Sequence, residues 1–505
     1  MAPAASGSDG LPFIVSTSTK KADPELRKFI RSHVMVGKNR GKTLGPRAKR
    51  DKKSKEPDTT TEKSDVTSSM DDIYIENRIL LSASLRAIPK RVGTNTSFIQ
   101  FADTVEQSAI NTIMEFSSQA KKAMFPLETC INFGPKDLAY IEALTIDAAY
   151  LHAMAFSTQI YFDLRPGRQD RKSSAYMHVA KTLQLLRERL DNAELDISKS
   201  WFTTTAVIMC LAFYAHVMGE VQTARHHMQG LRKIVDMKGE LSALRGNIKQ
   251  LLEMFRCDIG IALHSGTKPL FFANPLREPF WPYPLYAGYN THPLHPIPPS
   301  DELFLSTLDP LLSTPWLELR KFSALVNRAH STGRKMPKDY LLDAMASTTY
   351  RLIHKPPSPR GSLDEAVRLG LLAFASTLFL QWVGVRQPQT HFPISYQEAL
   401  ANLEFPDPNP NNSDNENGGD NPKPISPRLL LWLLTVGAVS VFSEVDCATW
   451  LNPWLLVNIE LCGVRSWSDM QEVLHSFMWV GLLHDVPGKM VYDSAISSSL
   501  TLGLQ

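Results

Sequence analysis

An all-α fold, a helical bundle or a stack of helical hairpins with a disordered basic amino-terminal arm, is what this sequence predicts. Three observations predict it. From about Asp72 onward, apolar residues recur every three or four positions in long runs separated by short loops, which is the period of amphipathic helices. The chain has 505 residues and is 43% hydrophobic, enough for a sizeable core. Residues 1 to about 70 are instead rich in Lys, Ser, Thr and Asp, so burial there cannot offset the entropy of ordering.

Within the arm, the stretch "DPELRKFIRSHVMVGKNRGK" (Asp23 to Lys42) predicts one short helix over Pro24 to Val36. Asp23 suits the N-cap, Pro24 the first turn, Glu25 the positive end of the helix dipole and Gly37 a left-handed stop. Leu26, Phe29, Ile30 and Val34 line one face together with His33, and Arg27, Lys28 and Arg31 occupy the others. A helix this short is marginal in water, so the stripe predicts docking on the protein's own body, a partner or a membrane. The tract that follows, with Lys38, Arg40, Lys42, Arg47, Lys49, Arg50, Lys52, Lys53 and Lys55, has no such stripe. Lys20 to Lys55 holds fourteen Lys or Arg against three acidic residues, a local balance of +11, so the rest of this +3 chain carries −8. Charge concentrated in this way attracts an import receptor or phosphate backbone, and the alternative is a solubilising tail. Flexible cations make nonspecific phosphate contacts and do not read bases.

Beyond the arm, helices are predicted over Lys136–Phe162, Ala175–Leu190, Trp201–Met218, Val221–Lys238, Glu240–His264, Glu365–Val385, Pro427–Phe442 and Trp467–His484. In the central pair, Ala224, His227, Met228, Leu231, Ile234 and Val235 form one stripe. Gly239 ends it, and a second stripe from Leu241 to Phe255 restarts at once, predicting an antiparallel hairpin. From Pro269 to Pro299 nine prolines and seven aromatics exclude helix and predict an extended segment that lays its rings on the bundle. Phe405 to Pro424, rich in Asn, Asp, Pro and Gly, predicts a disordered loop, and the remaining eighty or so residues return to helix.

No apolar segment of signal-peptide type follows Met1, so the expectation is an intracellular chain. The most apolar runs, Leu369–Val385 and Leu429–Phe442, are short for a bilayer span and are expected to be buried helices rather than membrane segments. The five cysteines include no close pair, which argues for reduced thiols and against a disulfide framework or zinc site. No nucleophile elbow, phosphate loop, dinucleotide fingerprint or paired-histidine zinc motif is present, so neither a catalytic centre nor a cofactor or metal is expected. Adjacent His226 and His227 point about 100° apart on a helix, which places His227 toward the core and His226 outward. Cys257, Asp258 and His264 fall too far apart for a catalytic cluster, and Arg256 and Asp258 are expected to close polar contacts with the Pro-rich segment.

The residues also resemble a family. "FIVSTSTKKADPELRKFIRSHVMVGKNRGK" is similar to the amino-terminal signature of ascomycete fungal-specific transcription-factor domain proteins, in which a Phe-containing stretch precedes Pro-x-x-Arg/Lys, "IRSHVM" and a basic tract. The centre, "VIMCLAFYAHVMGEVQTARHHMQGLRKIVDMKGELSALRGNIKQLLEMFRCDIGIALHSGTKPLFF", resembles that family's regulatory region. Its His-x-x-Gly-Leu, Gly-x-Leu and Arg-x-Asp features fall on His227, Gly230, Leu231, Gly239, Leu241, Arg256 and Asp258. The resemblance implies an all-helical regulatory domain in a nuclear fungal protein. DNA-binding members carry a six-cysteine zinc cluster near the amino terminus, whereas the first cysteine here is Cys130. The resulting expectation is a nuclear transcription-regulator-like protein that binds protein partners or a small effector and contacts nucleic acid, if at all, weakly and nonspecifically through the arm. A protein-interaction scaffold without nucleic-acid contact is the alternative, followed by an enzyme with a site beside Pro269–Pro299.

Overall fold

The computed structural model describes residues 99–502, apart from 135–138, 166–171, 192–199, 240, 290–303, 381–389 and 404–424. Two units divide the chain, Met1–Pro89 and Lys90–Gln505, and all described residues belong to the second. The arm, the helix predicted over 24–36 and the tract from Lys38 to Lys55 lie outside the described residues, as do 290–299 and the loop predicted over 405–424.

Sixteen helices form the described part. The first half contains α1 (Gln107–Met124), α2 (Ala139–Ile146), α3 (Ala148–Asp163), α4 (Lys172–Asp191), α5 (Trp201–Val217), α6 (Val221–Lys238) and α7 (Ile248–Ser265). The second contains α8 (Pro310–Thr332), α9 (Lys338–His354), α10 (Leu363–Phe379), α11 (His391–Ala401), α12 (Pro427–Ser440), the single turn α13 (Glu444–Asp446), α14 (Asn452–Leu461), α15 (Trp467–Phe477) and α16 (Gly481–Leu502). The strands among the described residues are two-residue pieces, β1 (Ile131–Asn132) and β2 (Met336–Pro337), paired parallel with Ile131 opposite Met336. They clip the segment after α1 to the start of α9.

Sequence neighbours pack most closely in the first half, α3 on α4 and α5 on α6, the latter pair joined by a turn at Gly219 with φ +79°. In the second half the central pair is α10 and α12, with α14 and α16 on α12. One continuous buried cluster runs through both halves from Ala109 to Ala495. The two most apolar runs supply its middle: every residue from Ala366 to Phe379 is buried, as is nearly all of α12. No described helix is long and apolar enough to cross a membrane.

Three predicted helices are corrected. The one over Lys136–Phe162 is divided at Asp147, whose carboxylate accepts from the Tyr150 amide at 3.0 Å and from Arg189 Nη2 at 2.6 Å. It caps α3 and cannot continue α2. The helix predicted from Glu240 begins instead as a 3₁₀ turn, Leu241–Asn247, and becomes α-helical at Ile248, where Asn247 caps it. Arg245 in that turn is drawn to Asp343 at 2.8 Å and over the Trp281 ring at 4.1 Å, contacts distant in sequence. As a result α6 packs mainly on α5 and less on α7, rather than forming a tight hairpin with α7. The helix over Trp467–His484 is interrupted at Met478–Val480.

Close packing around α12 requires glycine at two places, at Gly370 where α10 crosses it and at Gly437 beside Phe442 and Tyr396. A methyl group at Gly370 would run into Leu433 and Tyr396, and one at Gly437 into Phe442. Neither side chain can retreat, since Phe442 and Tyr396 are stacked at 5.4 Å in the core. Gly437→Ala is expected to lower stability by about 1–3 kcal/mol through overpacking, read as a lower midpoint in urea unfolding.

Candidate functional site

Of the residues singled out in the centre of the sequence, Asp258 reaches the place where α6, α7 and α9 hold the apolar strap that follows α7. Asp258 is 3% exposed. Its two carboxylate oxygens accept from the Leu270 and Phe271 amides at 2.8 and 3.0 Å and from the Tyr350 hydroxyl at 3.1 Å. Those amides lie in non-helical backbone, so without Asp258 they would be buried donors lacking acceptors. Burial pushes the Asp258 carboxyl up to about 6, against the pull of its three donors.

Further side chains fasten the same strap. Glu278 accepts from the Phe272 amide at 2.7 Å and from Arg232 of α6 at 2.6 Å, and Arg232 also covers the Phe271 ring. Arg225 donates to Thr267 and to the Lys268 carbonyl. From α9, Arg351 donates to the Trp281 carbonyl and covers Tyr283 and Phe280, and His354 Nε2 donates to the Phe271 carbonyl. Within this frame Phe255 meets Phe271, Phe272, Trp281 and Tyr350 at ring separations between 5.4 and 5.8 Å. Phe272 and Tyr286 take left-handed backbone angles, φ 55° and 47°. Such angles cost non-glycine residues free energy, and the burial of both rings offsets it.

The motif residues separate into roles. Leu231 and Leu241 are core residues, and Gly239, with φ +115°, ends α6. Gly230 has open space where a Cβ would stand, so no close approach requires it. His227 is half-buried and His226 exposed, and burial lowers the His227 pKa. Arg256 is corrected: it does not reach the Pro-rich segment. Its guanidinium instead donates to the Phe379 carbonyl of α10 at 2.6 Å, pairs with Glu253 and covers Phe125. Cys257 does not join Asp258 in a cluster, and burial raises its thiol far above the range of a reactive cysteine. Among the described residues no group of three or more His, Cys, Asp or Glu could hold a metal ion.

Beside the strap, the ends of α7 and α9, the start of α10 and one face of α11 enclose a cleft of about 540 Å³. Leu263, Ile353, Leu369, Leu372 and Phe392 form its apolar part, and Lys268, His354, Lys355, Arg360 and Arg368 bring positive or titratable groups. Lys355 pairs with Asp309 at 3.0 Å and Arg368 with Glu365 at 2.6 Å. His391 lies against Gly266, where a Cβ would collide with its ring. Thr267 and Lys268 belong to both cleft and strap, so the two features meet at the end of α7.

Arg232, Arg245, Tyr350 and Arg351 escape sequence reasoning. Each is an unremarkable helix or turn residue until the strap folds back, and the only signal was the density of aromatics after Pro269. No protein-family model, curated protein or solved structure matches the chain.

Proposed function

We propose that this is a nuclear transcription-regulator-like protein of fungal type, whose helical body binds partners or a small effector and whose basic tract serves import or nonspecific phosphate contact. The observation that carries this reading is the charge distribution, +11 within Lys20–Lys55 against −8 in the remainder. A basic tract beside an acidic body engages polyanions or import receptors through the tract alone. The resemblance of the region around His227 to Asp258 supports the regulatory role. Replacing Lys49, Arg50, Lys52 and Lys53 with Ala is expected to abolish nuclear accumulation of a fluorescent fusion. Unchanged accumulation would refute import through this tract.

A scaffold without nucleic-acid contact is favoured by a different feature. Leu482, Val486 and Met490, at i, i+4 and i+8 of α16, are 37%, 75% and 68% exposed, an apolar stripe of the kind partner helices cover. Salt-dependent retention of DNA by the full chain, lost on neutralising the tract, would count against the scaffold reading.

A further inference from the structure

We propose that the cleft between α7, α9, α10 and α11 binds an organic carboxylate with an extended apolar tail. The proposal rests on the reading of the helical body as an effector-binding module and names the class of effector. Its volume, about 540 Å³, falls within the roughly 300–1,000 Å³ of small-molecule sites. Its apolar part is built from core helices, so a tail entering there removes hydrocarbon from water on both sides.

The charges give the cleft a direction. Lys355 and Arg368 are neutralised by Asp309 and Glu365, whereas Lys268 and Arg360 have no ion pair among the described residues. His354 also lines the cleft, and its Nε2 donates to the carbonyl of Phe271, three residues beyond Lys268, so the two groups share one end of the cleft. His391, which abuts Gly266, marks that same end on α11. Glu398 also lines the cleft, seven residues further along α11, a distance of about 10 Å. A carboxylate is therefore attracted toward Lys268 and repelled from Glu398, which lays its tail along α11 past Phe392 and Ala399. A nucleotide or polyphosphate fits less well, because Lys355 and Arg368 are already paired with carboxylates and Glu365 and Glu398 line the same cleft, so a second and third negative charge would meet like charge.

Isothermal titration of the full chain with dodecanoate, dodecanol and acetate tests this. Dodecanoate is expected to bind saturably at one site, dodecanol about tenfold or more weaker, and acetate not at all. Lys268→Ala combined with Arg360→Ala should remove the preference for dodecanoate while leaving dodecanol unchanged, because both side chains are exposed and neither supports the core. Ala399→Trp should fill the cleft and abolish both, with an unchanged circular-dichroism spectrum. Equal affinity for dodecanol, absence of saturable dodecanoate binding, or a preference that survives the double substitution would overturn the proposal. The import reading fails separately, through localisation of the arm variant, which leaves the cleft intact.

Discussion

Replacing Asp258 with alanine is expected to lower stability by about 3–5 kcal/mol, among the largest effects of any single substitution here. The loss is not that of one contact. Three donors, the half-buried Leu270 amide and the buried Phe271 amide and Tyr350 hydroxyl, lose their acceptor beside a packed aromatic cluster. Each buried donor left without a partner costs about 1–3 kcal/mol, and the strap backbone must shift to recover any of it. Tyr350→Phe removes one donor and leaves the carboxylate with two, so its expected cost is about 1 kcal/mol.

The pH dependence has a definite sign. The folded carboxyl titrates near 6, above its ordinary value of 3.8, so between those limits the native state holds more protons than the unfolded one. The Asp258 contribution to stability therefore grows as pH falls from about 6 to 4 and is lost as pH rises through 6. Asp258→Asn abolishes this dependence. It also places an amide NH₂ against either the Leu270 or the Phe271 backbone amide, donor against donor, and therefore remains less stable than the parent. Urea unfolding of both proteins at pH 4.5 and 7 measures the difference. A parent no more stable at pH 4.5, relative to the Asn variant, would refute the raised carboxyl.

Arg320→Met is the second substitution with a large expected effect, about 3 kcal/mol. Arg320 lies on α8, 3% exposed, and its guanidinium donates to the Phe477 carbonyl at 2.8 Å and the Ser476 carbonyl at 3.0 Å. These are end carbonyls of α15, which has no further turn to satisfy them. The next residues are held in the same way. Trp432 donates to the Met478 carbonyl, Asn327 donates to the Trp479 carbonyl and accepts from the Gly481 amide, and the Val480 amide donates to His484. Loss of Arg320 should speed hydrogen exchange of the Val480 and Gly481 amides well beyond any global change. Arg320→Lys should rescue little, since an ammonium lacks the planar fork that spans two carbonyls. Unaltered exchange at those amides would show that the break is set by the local sequence alone.

That break illustrates where sequence reading stopped. Ser466 with Asp469 makes a capping box that starts α15, and the apolar period through His484 is unbroken, so one helix is the natural reading. What interrupts it is a set of partners from α8 and α12, more than a hundred and about fifty residues away respectively. The 3₁₀ turn before α7 has the same origin, in Asp343 and Trp281. Helices α8, α9, α11 and α14 were less legible. Pro310 begins α8 and Pro315 lies inside it, and a proline-containing apolar run reads as punctuation until its neighbours bury it.

The candidate site was legible in part. Asp258 was expected to close polar contacts where its helix meets the Pro-rich segment, and its contacts with the Leu270 and Phe271 amides are of that kind. Arg256 stands two residues away, about 200° around the helix, so its side chain leaves from another face and meets the Phe379 carbonyl at the end of α10. The cleft had no sequence signature, since its walls come from four helices that only the fold brings together.

By itself the sequence determined that the body is helical, where the apolar faces of α6 and α7 lie, that the runs forming α10 and α12 are buried, and that positive charge is gathered ahead of an acidic remainder. These follow from local period and composition, which act over a few residues. Tertiary structure decided where helices stop, which buried polar groups answer one another and where a cavity opens. Those depend on donors and acceptors from distant segments, and a buried polar group accepts whichever partner the packed chain delivers.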